Sequence, residues 1–226
     1  MLEQLINIFK QYTVPILTIA CVPLVSFILS CFKEEVGVNW GGVFVLTLVF
    51  IVFGISSIYL FGMIHDGELF PASTPQHQGL LFLIPIWIYF AHKYAHCRLS
   101  VISDVTAVIL PFVIGGIRLY CIAQGCCFGT CIWGMDGVYW PVREMTILVN
   151  MVIGAVLFVQ LKRYGPDGRL LPFYLIMYSI VRFSEVSLWG DVYRDSQLID
   201  RALALLMLML GVGLLWEVDS THETVR

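Results

Sequence analysis

Apolar and polar positions alternate along this chain on the scale of membrane helices. Seven long apolar runs stand out: Val14–Phe32, Val43–Ile64, Leu80–Tyr94, Val101–Tyr120, Met145–Leu161, Leu170–Trp189 and Ile199–Trp216. An α-helix needs roughly 20 apolar residues to cross a hydrocarbon layer about 30 Å thick. A segment in that layer must satisfy its own backbone hydrogen bonds, so the runs predict helices. The third run is short and contains Pro85; it either spans while thinning the bilayer locally or is re-entrant. The expected fold is an all-α polytopic membrane protein of about seven transmembrane helices. Residues 1–226 form a single transmembrane domain, with 120–144 as an outer loop and 217–226 as a cytoplasmic tail. Within residues 1–13, Leu2, Leu5, Ile6 and Phe9 fall at helical spacing, which suits either an interfacial helix or a frayed end. Glu3 and the lack of a basic start argue against a cleaved signal peptide.

Lysine and arginine then orient the chain. With the amino end outside, the cytoplasmic connections hold Lys33, then Lys93 and Arg98, then Lys162, Arg163 and Arg169, with Arg226 in the tail. The opposite orientation leaves mainly Lys10, Arg143 and Arg194 inside, so the positive-inside rule selects the amino terminus outside and the carboxyl terminus cytoplasmic. Gly165 to Gly168 reads as a tight cytoplasmic turn. Composition agrees: 59% of residues are hydrophobic, only 13% are charged, and mean hydropathy is +0.86. The net charge of −3 leaves no basic face for a nucleic acid. Nothing in the sequence specifies an oligomeric state.

In this topology the polar residues that hydropathy does not explain gather at the outer leaflet. Arg118 ends the fourth run, Arg182 and Glu185 lie in the outer half of the sixth, and Asp200 and Arg201 begin the seventh. An arginine at the centre of a membrane helix costs about 2.5 to 3.5 kcal/mol, so such residues are retained with partners or for function. The guanidinium fork matches phosphate with paired hydrogen bonds. Arg118 is thus a candidate anion ligand or a snorkelling side chain. Arg182 is a candidate phosphate ligand or half of a structural pair with Glu185, three residues on along the same helix face. Tyr178, four residues before Arg182, shares that face and offers a hydroxyl.

His77, where the chain enters the third run, is the side chain best suited to take a proton near neutral pH. Seven cysteines are present, of which Cys121, Cys126, Cys127 and Cys131 cluster. Adjacent Cys126 and Cys127 are poorly spaced for a metal; a structural disulfide from either to Cys131 is the favoured reading, with a redox-active thiol as another. Cys21 and Cys31 read as apolar packing residues. His92, His96 and Cys97 have metal-ligand spacing only if the third helix continues through them, and read as a loop. Neither a metal nor a cofactor is expected.

The ordered landmarks resemble the bacterial prolipoprotein diacylglyceryl transferases from about residue 40 to the last span. His77-Gln-Gly-Leu80 is similar to the family's His-Gly-Gly-Leu element. The stretch from Gly116 to Gly129 resembles its glycine-rich arginine signature, with Arg118, Gly125 and Gly129 in register. Pro141-Val-Arg-Glu144 stands in the place of its Pro-Thr-Gln-Leu-Tyr-Glu segment, and Tyr178-Ser-Ile-Val-Arg-Phe183 is similar to its Tyr-Gly-x-x-Arg-Phe. The resemblance implies transfer of a diacylglyceryl group from phosphatidylglycerol, or a similar anionic phospholipid, to the cysteine thiol of a lipobox-containing precursor or another thiol acceptor. It implies a multi-pass protein of the bacterial inner membrane, its site facing the outer leaflet. Arg118 and Arg182 would hold the phosphate and His77 would be the base. Gly79, Gln124, Gly125, Gly129, Arg143, Tyr178 and Glu185 would contribute to substrate binding. The chain departs from the signature at Cys121 and Cys126, which replace an asparagine and a glutamate. In the second span Gly54 to Tyr59 stands where the family has an arginine, and Trp189 replaces a later one. Glu185 comes one residue early. A catalytically silent lipid-binding protein on the same fold, and a membrane thiol oxidoreductase using Cys126 and Cys127, are the alternative readings.

Overall fold

A computed structural model describes residues 19–66, 79–125, 129–132, 137–188 and 194–224. The described residues form α1 (Ile19–Cys31), the single turn α2 (Lys33–Val36), α3 (Trp40–Asp66), α4 (Gly79–Ala95), α5 (Leu99–Gln124), α6 (Val142–Tyr164), α7 (Leu170–Ser187) and α8 (Arg194–Thr224). Among these residues there is no strand beyond a β-bridge between Cys131 and Tyr139. Five helices are long and apolar enough to cross a membrane: α3, α5, α6, α7 and α8. The protein is a helical membrane protein. α4 is continuous through the exposed Pro85, and its 17 residues rise about 26 Å, just short of the hydrocarbon thickness.

Several boundaries differ from the expectation. α5 continues four residues beyond Tyr120, and α6 starts at Val142, so both ends of the expected 120–144 loop are helical. Gly125, in the left-handed region at φ +67°, stops α5: its N–H caps the carbonyls of Cys121 and Ile122. α8 opens at Arg194, five residues before the apolar run, and carries the expected tail on as helix to Thr224. α4 ends at Ala95; His96, at φ +51°, turns the chain, and His92 donates from Nδ1 to the Cys97 carbonyl at 2.6 Å.

Helices consecutive in sequence pack chiefly on each other, α3 on α4, α5 on α6 and α7 on α8, while α5 also meets α7 and α4. α5 is the axis of the bundle: 65% of its span is buried against 22% for α8, whose outer face is open to lipid. Association of helices in lipid lacks a hydrophobic drive and depends on close packing at small residues. A Cβ on Gly79 would overlap the Ser57 carbonyl oxygen of α3. One on Gly154 of α6 would lie 2.8 Å from the Phe112 ring of α5, and one on Gly211 of α8 would lie 3.0 Å from the Pro172 carbonyl oxygen of α7. Trp87 Nε1 donates to Thr106 Oγ1 at 3.1 Å and ties α4 to α5.

A buried carboxylate joins α5 to α7. Asp104 is fully buried and accepts the backbone N–H of Asp167 (2.9 Å) and Gly168 (2.7 Å) on Oδ2 and that of Leu170 (2.9 Å) on Oδ1. The stretch read as a simple tight turn is therefore held from inside the bundle, and the unsatisfied N–H groups at the start of α7 find their acceptor on another helix. Partners here are 66 residues apart, and partners near the other end of the pair are 67 apart, so α5 and α7 run parallel with matched register.

Candidate functional site

At the end of the bundle away from Asp104, α5, α7 and α8 each bring charge to one place. α5 supplies Arg118, α7 supplies Arg182 and Glu185, and α8 supplies Asp200. All four are buried, with relative exposures of 2%, 3%, 6% and 6%. Glu185 bridges the two arginines. Its Oε1 accepts from Arg118 Nη2, and its Oε2 accepts from Arg182 Nη1 at 3.0 Å. The second terminal nitrogen of Arg182, Nη2, donates to Asp200 Oδ1 at 3.2 Å. Two guanidinium cations are thus matched by two carboxylates, the arrangement that lets charge sit in an apolar interior.

The i, i+3 spacing of Arg182 and Glu185 produces an ion pair within α7, one of the two readings open for Arg182. Sequence spacing alone does not reveal that Glu185 is shared with Arg118. Arg118 turns into the bundle rather than snorkelling outwards. Tyr178 is also brought here: it lies one turn below Arg182, buried, within electrostatic reach of all four charged groups. Its hydroxyl has no hydrogen-bond partner among the described residues.

The rim comes from the segment after α5. Thr130 donates its N–H to the Leu188 carbonyl (2.8 Å), Trp140 donates to the Thr130 carbonyl (3.0 Å), and Ile132 donates to the Val138 carbonyl (2.8 Å). This pins the loop to the carboxyl end of α7. A Cβ on Gly129 would lie 2.6 Å from the Trp140 carbonyl oxygen, so that glycine serves the fold of the rim. Arg143, on the first turn of α6, reaches the Cys121 carbonyl at 3.4 Å and Glu144 at 3.5 Å. It lies at the edge of the cluster. Gly79 serves the α3–α4 contact and Gly125 the end of α5. His77 and the Gln124 side chain lie outside the described residues, as do Cys126 and Cys127. Cys131 is exposed with a free thiol, and the expected staple to Cys126 or Cys127 falls on partners outside the described residues. Among the described residues no group of three or more His, Cys, Asp or Glu is placed to hold a metal.

Asp200 is the site residue that sequence reading left without a role. Its signal was present: a carboxylate in the second turn of an apolar helix is costly unless paired. Asp104 carried the same signal at the other end of α5.

Comparison with known proteins decides the family. The family model described as prolipoprotein diacylglyceryl transferase matches residues 75–217, which include all four charged residues of the cluster. The chain belongs to the prolipoprotein diacylglyceryl transferase family. A phosphatidylglycerol–prolipoprotein diacylglyceryl transferase of Dehalococcoides mccartyi is 24% identical over 203 residues, covering 77% of this chain and 75% of that protein. Membership makes the chain a membrane transferase of lipoprotein biosynthesis.

Proposed function

We propose that the protein transfers the diacylglyceryl group of phosphatidylglycerol to the cysteine thiol of a lipobox-containing precursor, at the outer leaflet of the bacterial inner membrane. The observation that carries this reading is the convergence of Arg118 and Arg182 on a single carboxylate in a buried, low-dielectric site. A phosphodiester presents two non-bridging oxygens in a fork like that of Glu185, so its seat is the place the Glu185 carboxylate occupies. In the reaction the sulfur forms a bond to the terminal glycerol carbon of the diacylglyceryl group while the bond from that carbon to the phosphate oxygen breaks. Glycerol phosphate leaves with the electron pair, and the thiol proton passes to His77. Arg118 and Arg182 hold the charge that grows on the leaving phosphate, which is worth most where water is excluded. Tyr178 offers its hydroxyl to the same group, and Gly79, Gln124, Gly125, Gly129 and Arg143 shape the approach to it.

The parallel register of α5 and α7 fits a topology in which both cross in the same direction, and the placement of lysine and arginine makes that direction outward. α1 and α4 then complete seven spans, with the amino terminus outside and the carboxyl terminus in the cytoplasm. The test is transfer by purified protein in nanodiscs, from labelled phosphatidylglycerol to a lipobox peptide. A thioether-linked peptide is expected from the wild type. Arg118→Ala and Arg182→Ala are each expected to lower its formation at least about 100-fold, the scale of losing one donor to a developing anion. Full activity in both variants sinks the reading. Lipid that copurifies without any transfer points instead to a silent lipid-binding protein on the same fold.

A further inference from the structure

We infer that Asp200 is a positioning residue for the lipid donor: it holds Arg182 in the orientation that lets its other nitrogen face the phosphate. The inference deepens the proposed transferase reading and rests on it. The guanidinium of Arg182 is divided between two helices, with Nη1 on Glu185 of its own helix and Nη2 on Asp200 of α8. Glu185 is also the carboxylate that Arg118 shares. A phosphate that binds both arginines takes over the place of Glu185, and Arg182 then loses the contact made by Nη1. The contact made by Nη2 does not compete with the phosphate. Asp200 is buried and set on a helix packed along α7, with Gly211 in close approach to Pro172 and Ile176, so it is a rigid anchor. With Asp200 neutral, the hold on Nη2 weakens and the fork of Arg182 turns towards Glu185, an arrangement that narrows the anion seat.

Positioning and simple charge make opposite predictions. Removing a carboxylate leaves the site more positive, and charge alone would tighten phosphate binding. Positioning predicts weaker binding. The experiment measures binding of short-chain phosphatidylglycerol to the full chain in detergent, together with transfer kinetics on a lipobox peptide. Asp200→Asn is expected to weaken donor binding about tenfold, roughly the loss of one charge-assisted hydrogen bond, and to raise donor KM in step with kcat little changed. Asp200→Glu is expected to recover part of the loss. Arg182→Lys keeps the charge but not the fork, and is expected to lose donor affinity to a similar degree.

Donor binding by Asp200→Asn as tight as wild type, or tighter, overturns the inference. Wild-type affinity in Arg182→Lys overturns it too, and if Asp200→Asn does not fold, Asp200→Ser is measured in its place, where affinity as tight as wild type overturns the inference as well. A wild type that binds phosphatidylglycerol without transferring it refutes the transferase reading, while the binding comparison still decides for or against Asp200. A wild type that binds no phosphatidylglycerol refutes both.

Discussion

At the scale of single residues, the centre of this protein is a carboxylate shared by two cations. Glu185 stabilises Arg118 and Arg182 together, so its loss leaves more buried positive charge than Asp200 can balance. Glu185→Gln is expected to lower stability by about 3 to 5 kcal/mol, the usual consequence of breaking a buried ion pair from one side. Thermal unfolding in detergent reads that loss. If the seat of Glu185 is also the seat of the donor phosphate, added phosphatidylglycerol raises the melting temperature of Glu185→Gln more than that of the wild type. Equal shifts would separate the two seats. The Arg182–Glu185 pair was legible in the sequence because three residues along a helix is a fixed geometry. Arg118 on the same carboxylate was not, because that contact depends on how two helices 67 residues apart are rotated against each other.

At the scale of elements, α5 and α7 form the frame that holds the site. They are fastened at one end by Asp104 and at the other by the bridge through Glu185. Both oxygens of Asp104 accept N–H groups, so an asparagine there would turn one acceptor into a donor facing another donor. Asp104→Asn is therefore expected to cost about 2 kcal/mol or more, and to reduce transfer as the register at Arg118 loosens. Unfolding in detergent and the peptide assay check the two halves of that statement. Gly79→Ala tests the α3–α4 contact. A methyl group against the Ser57 carbonyl oxygen meets backbone that cannot turn aside, so a loss of about 1 to 3 kcal/mol is expected. The resemblance implied a substrate-binding role for Gly79, and the structure places it in close contact with the Ser57 carbonyl of α3.

At the scale of the whole molecule, the testable quantity is sidedness. Cys131 is exposed on the rim beside the charge cluster, and Cys97 lies in the turn between α4 and α5, near the Asp104 end. In single-cysteine versions, a membrane-impermeant maleimide is expected to label Cys131 in intact spheroplasts and Cys97 only after permeabilisation. The reverse pattern would invert the topology. Burial pushes the Cys97 thiol up from its ordinary value. Less thiolate is then present at neutral pH, and labelling of Cys97 after permeabilisation should be slow at pH 7 and accelerate as pH rises.

The apolar runs by themselves determined that this is a helical membrane protein. They located α3, α4, α5, α6 and α7 to within four residues at each end, because dehydrating a backbone segment is a local requirement that the segment must meet alone; α8 extends five residues before its run and eight beyond it. Charge placed Arg118, Arg182 and Glu185 towards one side. What only the tertiary structure decided was partnership: Glu185 between two helices, Asp200 on the far nitrogen of Arg182, Asp104 inside the start of α7, and Gly79 under the Ser57 carbonyl. Each of these joins parts of the chain through the rotation and approach of packed helices. That geometry is set by side chains filling the spaces between helices, so no short stretch of sequence contains it.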